Sequence, residues 1–151
     1  MNFMLGALAL LSSILSPSQE RPGYAAGQVW EYAGRPEDAG SLIKIHQVEA
    51  SPTGPIYHIG MTGIRVTRDR PPTDVHHLPV SRETLDASVT RLASPQAAAR
   101  PFTDPSEGIA IWRENEGGVF TIPLVEIAEI LVSQMTDRPS ENESRVKQPG
   151  A

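Results

Sequence analysis

The spacing of apolar residues changes near residue 80, and this change limits the folds that the chain can adopt. Before it, apolar and polar residues alternate over three short segments, which is typical of half-buried β-strands. After it, apolar residues recur at intervals of three and four, which is typical of amphipathic helices. A run of strands followed by a run of helices predicts an α+β domain.

The three predicted strands cover residues 28–32, 42–49 and 56–66. Short polar turns join them, so we predict a three-stranded antiparallel meander. Val48 and Ile64 fall out of the alternating phase of their strands, which predicts a bulge in each. Residues 75–80 or 119–121 could add a fourth short strand to this sheet.

About three helices are predicted to pack on one face of the sheet. The first begins at the N-cap Ser81 and continues through the stripe Leu85, Val89 and Leu92. The second begins with a capping box near residue 104. The third runs from the N-cap Thr121 to about residue 135, and residues 93–103 are interpreted as a linker rich in Ala and Pro.

One domain is predicted, residues 23–136, between two terminal segments. Residues 1–22 contain an apolar run that resembles the core of a signal peptide, although no Lys or Arg precedes it. If this leader is a signal peptide, the protein is periplasmic or secreted; otherwise the domain is cytoplasmic. The alternatives to a signal peptide are an uncleaved anchor and a wrongly assigned start. The run is too short for a stable membrane span. Residues 137–151 hold one aliphatic side chain and predict a disordered tail.

The composition argues against several classes of function. A net charge of −5 without a basic stripe argues against nucleic-acid binding. The absence of cysteine excludes disulfides, thiolate nucleophiles and zinc–thiolate sites. The sequence contains neither a nucleophile elbow nor a glycine-rich phosphate loop, so the catalytic residues are unknown and no cofactor is predicted.

The four histidines are the side chains best suited to metal binding or acid/base chemistry. His76 and His77 are adjacent in an extended segment, where neighbouring side chains point to opposite faces, so we interpret this doublet as structural. His46 and His58 lie on neighbouring strands. A metal site built from these two and one member of the doublet is the alternative, but our prediction is that the protein has no metal site.

Several short motifs resemble those of a family of small, uncharacterised bacterial proteins. The resemblance opens with Gly-Gln-Val-Trp-x-Tyr, here Gly27 to Tyr32, and closes with Gly-Val-Phe-Thr-Ile, here Gly118 to Ile122. Between them lie Ile-Tyr-His-Ile at 56–59, His-Leu-Pro-Val-Ser at 77–81 and Trp-Arg at 112–113. No activity is assigned to that family, so the resemblance implies no catalytic residue.

The sequence favours a non-enzymatic binding or accessory protein. Two surfaces are candidates for contact with a protein partner or with a second copy of the chain. One is an aromatic face of the sheet, and the other is the last helix, whose apolar arc is unusually wide. The residues concerned are Trp30, Tyr32 and Tyr57 in the sheet, and Val125, Ile130 and Val132 in the helix. Glu126 and Glu129 are interpreted as the solvated strip of that helix.

The alternative is a small, hydrolase-like enzyme that uses scattered polar residues. The residues named for this role are Arg35, Glu37, His58 and His77. This hypothesis requires at least three of the four to meet in one pocket.

Overall fold

The structure, a computed structural model, describes residues 23–138. This range forms one antiparallel sheet and four helices, which confirms the α+β class. The strands are β1 (Val29–Tyr32), β2 (Ile43–Glu49), β3 (Ile56–Ile64), β4 (Thr73–Val80) and β5 (Val89–Leu92). The helices are α1 (Arg82–Ser88), α2 (Pro95–Ala98), α3 (Ser106–Glu114) and α4 (Leu124–Asp137). The predicted leader and the predicted tail beyond residue 138 lie outside the described residues.

The sheet has five strands in the order β4-β3-β2-β1-β5, and all neighbouring strands are antiparallel. The predicted three-stranded meander corresponds to β1, β2 and β3. The possible fourth strand at residues 75–80 is part of β4, while residue 120 contributes one isolated bridge to Val80. Both predicted bulges are confirmed. The register shifts between Ile45 and Gln47, and again between Met61 and Ile64, where Gly63 adopts a φ of 68°.

Strand β5 was not predicted, because its residues fit the helical stripe that starts at Leu85. Helix α1 ends at Ser88, and the chain then pairs with β1, so that Glu31 lies opposite Arg91 and Trp30 opposite Leu92. The first strand offers a row of unpaired backbone groups at that edge, and pairing with it outweighs the weak helical preference of Val-Thr-Arg-Leu. Leu92 is therefore 54% exposed and does not face the core.

Two further elements differ from the sequence prediction. Four residues of the predicted linker form α2, which Ser94 caps by accepting a hydrogen bond from the Ala97 backbone N–H. Helix α4 starts at Leu124, so Thr121 is not its N-cap. The first backbone N–H of α4 instead donates to the Ser88 hydroxyl oxygen at 2.8 Å, which ties α4 to the end of α1.

Helices cover both faces of the sheet, so the prediction of three helices on one face is wrong. Leu85 of α1 and Leu124 of α4 pack into the core on the face of the sheet that carries Tyr57 and Ile59. His58 points to the opposite face, because successive strand residues alternate. There it is fully buried beneath Trp112 of α3, with ring centroids 5.1 Å apart.

Candidate functional site

The face beneath α3 brings together two of the sequence-named histidines, His58 and His77. Ile59 of β3 lies opposite Leu78 of β4, and both side chains point into the core. The residues just before them, His58 and His77, therefore both point to the other face of the sheet. The Nδ1 atom of His58 lies 2.8 Å from Nε2 of His77, and the two rings stack with centroids 5.1 Å apart. His76 is exposed, because the register of β4 shifts between the residues opposite Ile59 and Met61.

A carboxylate completes a hydrogen-bonded chain that we call the Glu49–His58–His77 chain. Oε2 of Glu49 lies 2.9 Å from Nε2 of His58. Because an ionised carboxylate only accepts, His58 carries its proton on Nε2 and accepts at Nδ1. His77 therefore donates from Nε2, and a neutral His77 keeps the lone pair on its Nδ1. The chain fixes the tautomer of both rings.

Helix α3 is fitted closely to this chain. Trp112 lies edge-on to both histidine rings, and its indole N–H donates to the Gly118 carbonyl at 2.9 Å. Arg113 donates to the same Glu49 oxygen that meets His58, at 2.9 Å. Gly108 lies so near His77 that an added Cβ would stand 2.7 Å from the Cβ of His77. A larger residue at 108 is therefore excluded without a shift of the helix.

The surroundings favour an uncharged His77 and a charged Glu49. Burial, then the neighbouring His58 and His46, lowers the pKa of His77 to about 4. Hydrogen bonds from His58 and Arg113 hold the pKa of Glu49 below its usual value. The pKa of His46 is also lowered, chiefly by burial and then by Lys44, and its buried Nε2 has no hydrogen-bond partner among the described residues.

This arrangement has limited chemical scope. His58 is fully buried, so it cannot touch a substrate, and a His77 with a pKa near 4 is a weak base at neutral pH. Within residues 23–138, no group of three or more His, Asp or Glu side chains has an arrangement that could hold a metal ion. The contacts fit a buried polar network that positions α3.

The other residues named for an enzyme lie elsewhere. Arg35 donates two hydrogen bonds of 2.8 Å to Asp38 and a third to the Arg65 carbonyl. Glu37 is exposed and lines a surface cleft of about 480 Å³. The structure thus brings together two of the four residues, and the required meeting of three does not occur.

The aromatic face of the sheet is internal. Trp30 and Tyr57 are 7% and 3% exposed, and Tyr24 packs edge-on against both at 5.6 Å. Tyr24, which the sequence analysis did not name, is held over them by a 2.8 Å hydrogen bond from its hydroxyl to Asp86. Tyr32 is partly buried against the same core. These rings serve packing, and they leave no open aromatic platform.

The last helix retains exposed apolar area. Ile130 and Met135 are each 41% exposed, while Val125 and Val132 are half-buried. A shallow groove of about 660 Å³ follows its outward side, lined by Glu126, Glu129, Ile130, Ser133 and Gln134. Glu126 and Glu129 are exposed, in agreement with their interpretation as a solvated strip. Among residues 23–138, no helix combines the length and apolarity needed to span a membrane.

Sequence reasoning missed four participants in the histidine cluster. Glu49 ends β2 after a bulge, and the bulge changes which face its side chain occupies. Trp112 was interpreted as a core-facing residue of its helix, and Arg113 was noticed only as part of a motif. Gly108 carried no signal at all, since its importance arises from the approach of α3 to β4. The pairing of strands β2, β3 and β4 would have been needed to find them.

Comparison with known proteins gives no relative. No protein-family model matches the chain, and neither the curated proteins nor the solved structures contain a significant match. The resemblance drawn from the sequence motifs therefore stays a prediction.

Proposed function

We propose that the protein is a non-enzymatic binding or accessory domain whose partner contacts the outward side of α4. The observation that carries this proposal is the exposure of Ile130 beside the acidic strip formed by Glu126 and Glu129. Val125 is half-buried on one flank of the helix, whereas Val132 packs against the core and Met135 continues the core-facing stripe toward the end of α4. A partner that covers this helix removes exposed apolar surface from water.

The negative charge of α4 limits the kinds of partner that can bind to it. Residues 124–137 include Glu126, Glu129 and Asp137 but no Lys or Arg. A second copy would set these carboxylates against each other, and an anionic lipid surface would be repelled. A protein segment with an apolar residue flanked by Lys or Arg complements the strip, so this is the partner that we propose.

Site-specific photocrosslinking in the native host tests this proposal. A photoreactive side chain at Ser133 is expected to capture a basic protein segment, and Ile130→Asp is expected to reduce the yield at least tenfold. Ile111→Asp is the matched control, because Ile111 is 52% exposed on α3. Equal yields from the two variants, or capture of a second copy of this chain, would overturn the proposal.

The alternative, a small hydrolase-like enzyme, lacks the required meeting of three named residues, and its remaining support is the Glu49–His58–His77 chain. In that role His77 acts as the acid/base group, and the other two residues hold its tautomer. A panel of ester and phosphoester substrates tests it with two variants. Activity that disappears in His77→Gln but persists in His76→Ala supports the enzyme. Equal activity in the two variants, or none in the wild type, argues against it.

We also propose that residues 1–22 direct export. The support is the length and small-residue content of their apolar run. Mass spectrometry of the protein from its native host is expected to show a mature start near Gln19. A start at Met1 in protein recovered from the cytoplasm would contradict export and leave the binding proposal untouched.

A further inference from the structure

The attachment of α3 to the sheet depends on titratable groups. Ile109 is the buried apolar residue of the helix, with 6% exposure. The other contacts described above all meet the Glu49–His58–His77 chain: Gly108 on His77, Trp112 on both histidines, and Arg113 on Glu49. A change of charge in this chain therefore directly alters the contacts that hold α3 on the sheet.

One added proton changes the chain in a defined way. It binds Nδ1 of His77, the lone pair that the Glu49–His58–His77 chain leaves free. Nδ1 of His77 then gains an N–H, and His77 becomes a cation beneath α3. Nδ1 is the ring nitrogen on the side of Gly108, so the new charge lies against the backbone of α3.

Charged and titratable side chains approach the histidine pair from β2, from α3 and from the segment just before α3. Strand β2 supplies Glu49 and His46, and α3 supplies Arg113. Asp104, just before α3, acts on His46. Glu49 attracts the new cation, but it already holds Arg113. Arg113 and a protonated His46 repel the cation, and burial disfavours it, so the docked helix binds the proton more weakly than a released helix does.

We propose that α3 is a pH-dependent latch, which stays docked over the Glu49–His58–His77 chain at neutral pH and is released when the chain takes up a proton. The proposal follows from linkage: a proton that binds the released form more tightly must favour release. It is independent of the α4 surface and of any partner there. Release exposes Trp112 and the histidine face of the sheet.

Hydrogen exchange of the full chain between pH 7 and pH 4 tests the latch. Protection factors of α3 amides are expected to fall by up to about tenfold per pH unit below about 6.5, while those of α4 hold. His77→Gln, which retains an N–H donor but does not titrate, is expected to abolish the pH dependence. His76→Ala is the matched control and should behave like the wild type.

A further variant gives the released state at neutral pH. Gly108→Ala places a methyl group against His77 and should leave α3 unprotected at pH 7, with α4 protected. Two results would overturn the latch. One is an unchanged pH response in His77→Gln. The other is simultaneous loss of protection in α3 and α4, which indicates acid unfolding of the whole domain.

Discussion

At the scale of single residues, the least exposed charge of the fold is Asp38. It is 3% exposed and accepts hydrogen bonds from the Arg35 guanidinium and from the Arg65 backbone N–H, all at 2.8 Å. The sequence analysis named its neighbour Glu37, which is exposed. The sequence of this polar turn does not reveal which of the two adjacent carboxylates turns inward, because the choice depends on Arg65, distant in sequence.

Asp38→Ala is expected to lower the free energy of unfolding by about 3 kcal/mol, since it leaves a largely buried arginine without its counter-charge. Glu37→Ala is the control and should change stability by less than about 0.5 kcal/mol. Urea unfolding followed by circular dichroism measures both. Similar effects of the two substitutions would contradict the assigned role of Asp38.

His77 gives the domain a pH dependence of its own. Its pKa is about 4 in the folded state and 6.5 when unperturbed, so between these values the unfolded chain binds the extra proton. Stability is therefore complete above about pH 6.5 and declines as the pH falls toward 4. Because the ring is partly exposed, we expect a loss of about 1–2 kcal/mol over that window.

Urea titrations at pH 7 and pH 4.5 measure this loss, and His77→Gln should remove it. The lowered pKa of Glu49 acts at the acid end of the range, where its protonation withdraws the acceptor for His58 and Arg113. An identical pH profile in the wild type and in His77→Gln would show that other groups govern acid stability.

At the scale of elements, the sequence correctly predicted the features that are determined by residues close together in the chain. Ser81 caps α1 as predicted, by accepting from the Thr84 backbone N–H, and both bulges occur where the alternation breaks. The sequence prediction failed where a residue or strand distant in sequence determines the local structure. β5 forms because β1 has a free edge, and α4 is capped by Ser88 of α1, 36 residues earlier.

Ser88→Ala is expected to destabilise the domain by about 1–2 kcal/mol, because it leaves the buried first N–H of α4 without an acceptor. Thr121→Ala is the matched control: this residue was the sequence-predicted cap, and it is exposed. Thermal or urea unfolding compares them. A larger effect at Thr121 than at Ser88 would reverse this assignment of the cap.

At the scale of the whole molecule, the class of fold could be predicted from the change in hydrophobic period, but the arrangement of layers could not. Periodicity identifies one buried face for each strand, and the polar face of β3 reads as solvent-facing. His58 on that face is nevertheless fully buried, because α3 returns over it. The candidate site therefore lies on the side that the sequence pattern marks as exterior.

The position of β5 also bears on how the chain can fold during synthesis. Glu31 and Arg91 pair across β1 and β5 although 60 residues separate them in sequence. Until the ribosome has released residue 92, β1 has a partner on one side only, and its other edge presents unsatisfied backbone groups. The closing contact of the sheet is thus also one of its longest loop closures, so the nascent chain remains open to pairing with other strands until its second half emerges.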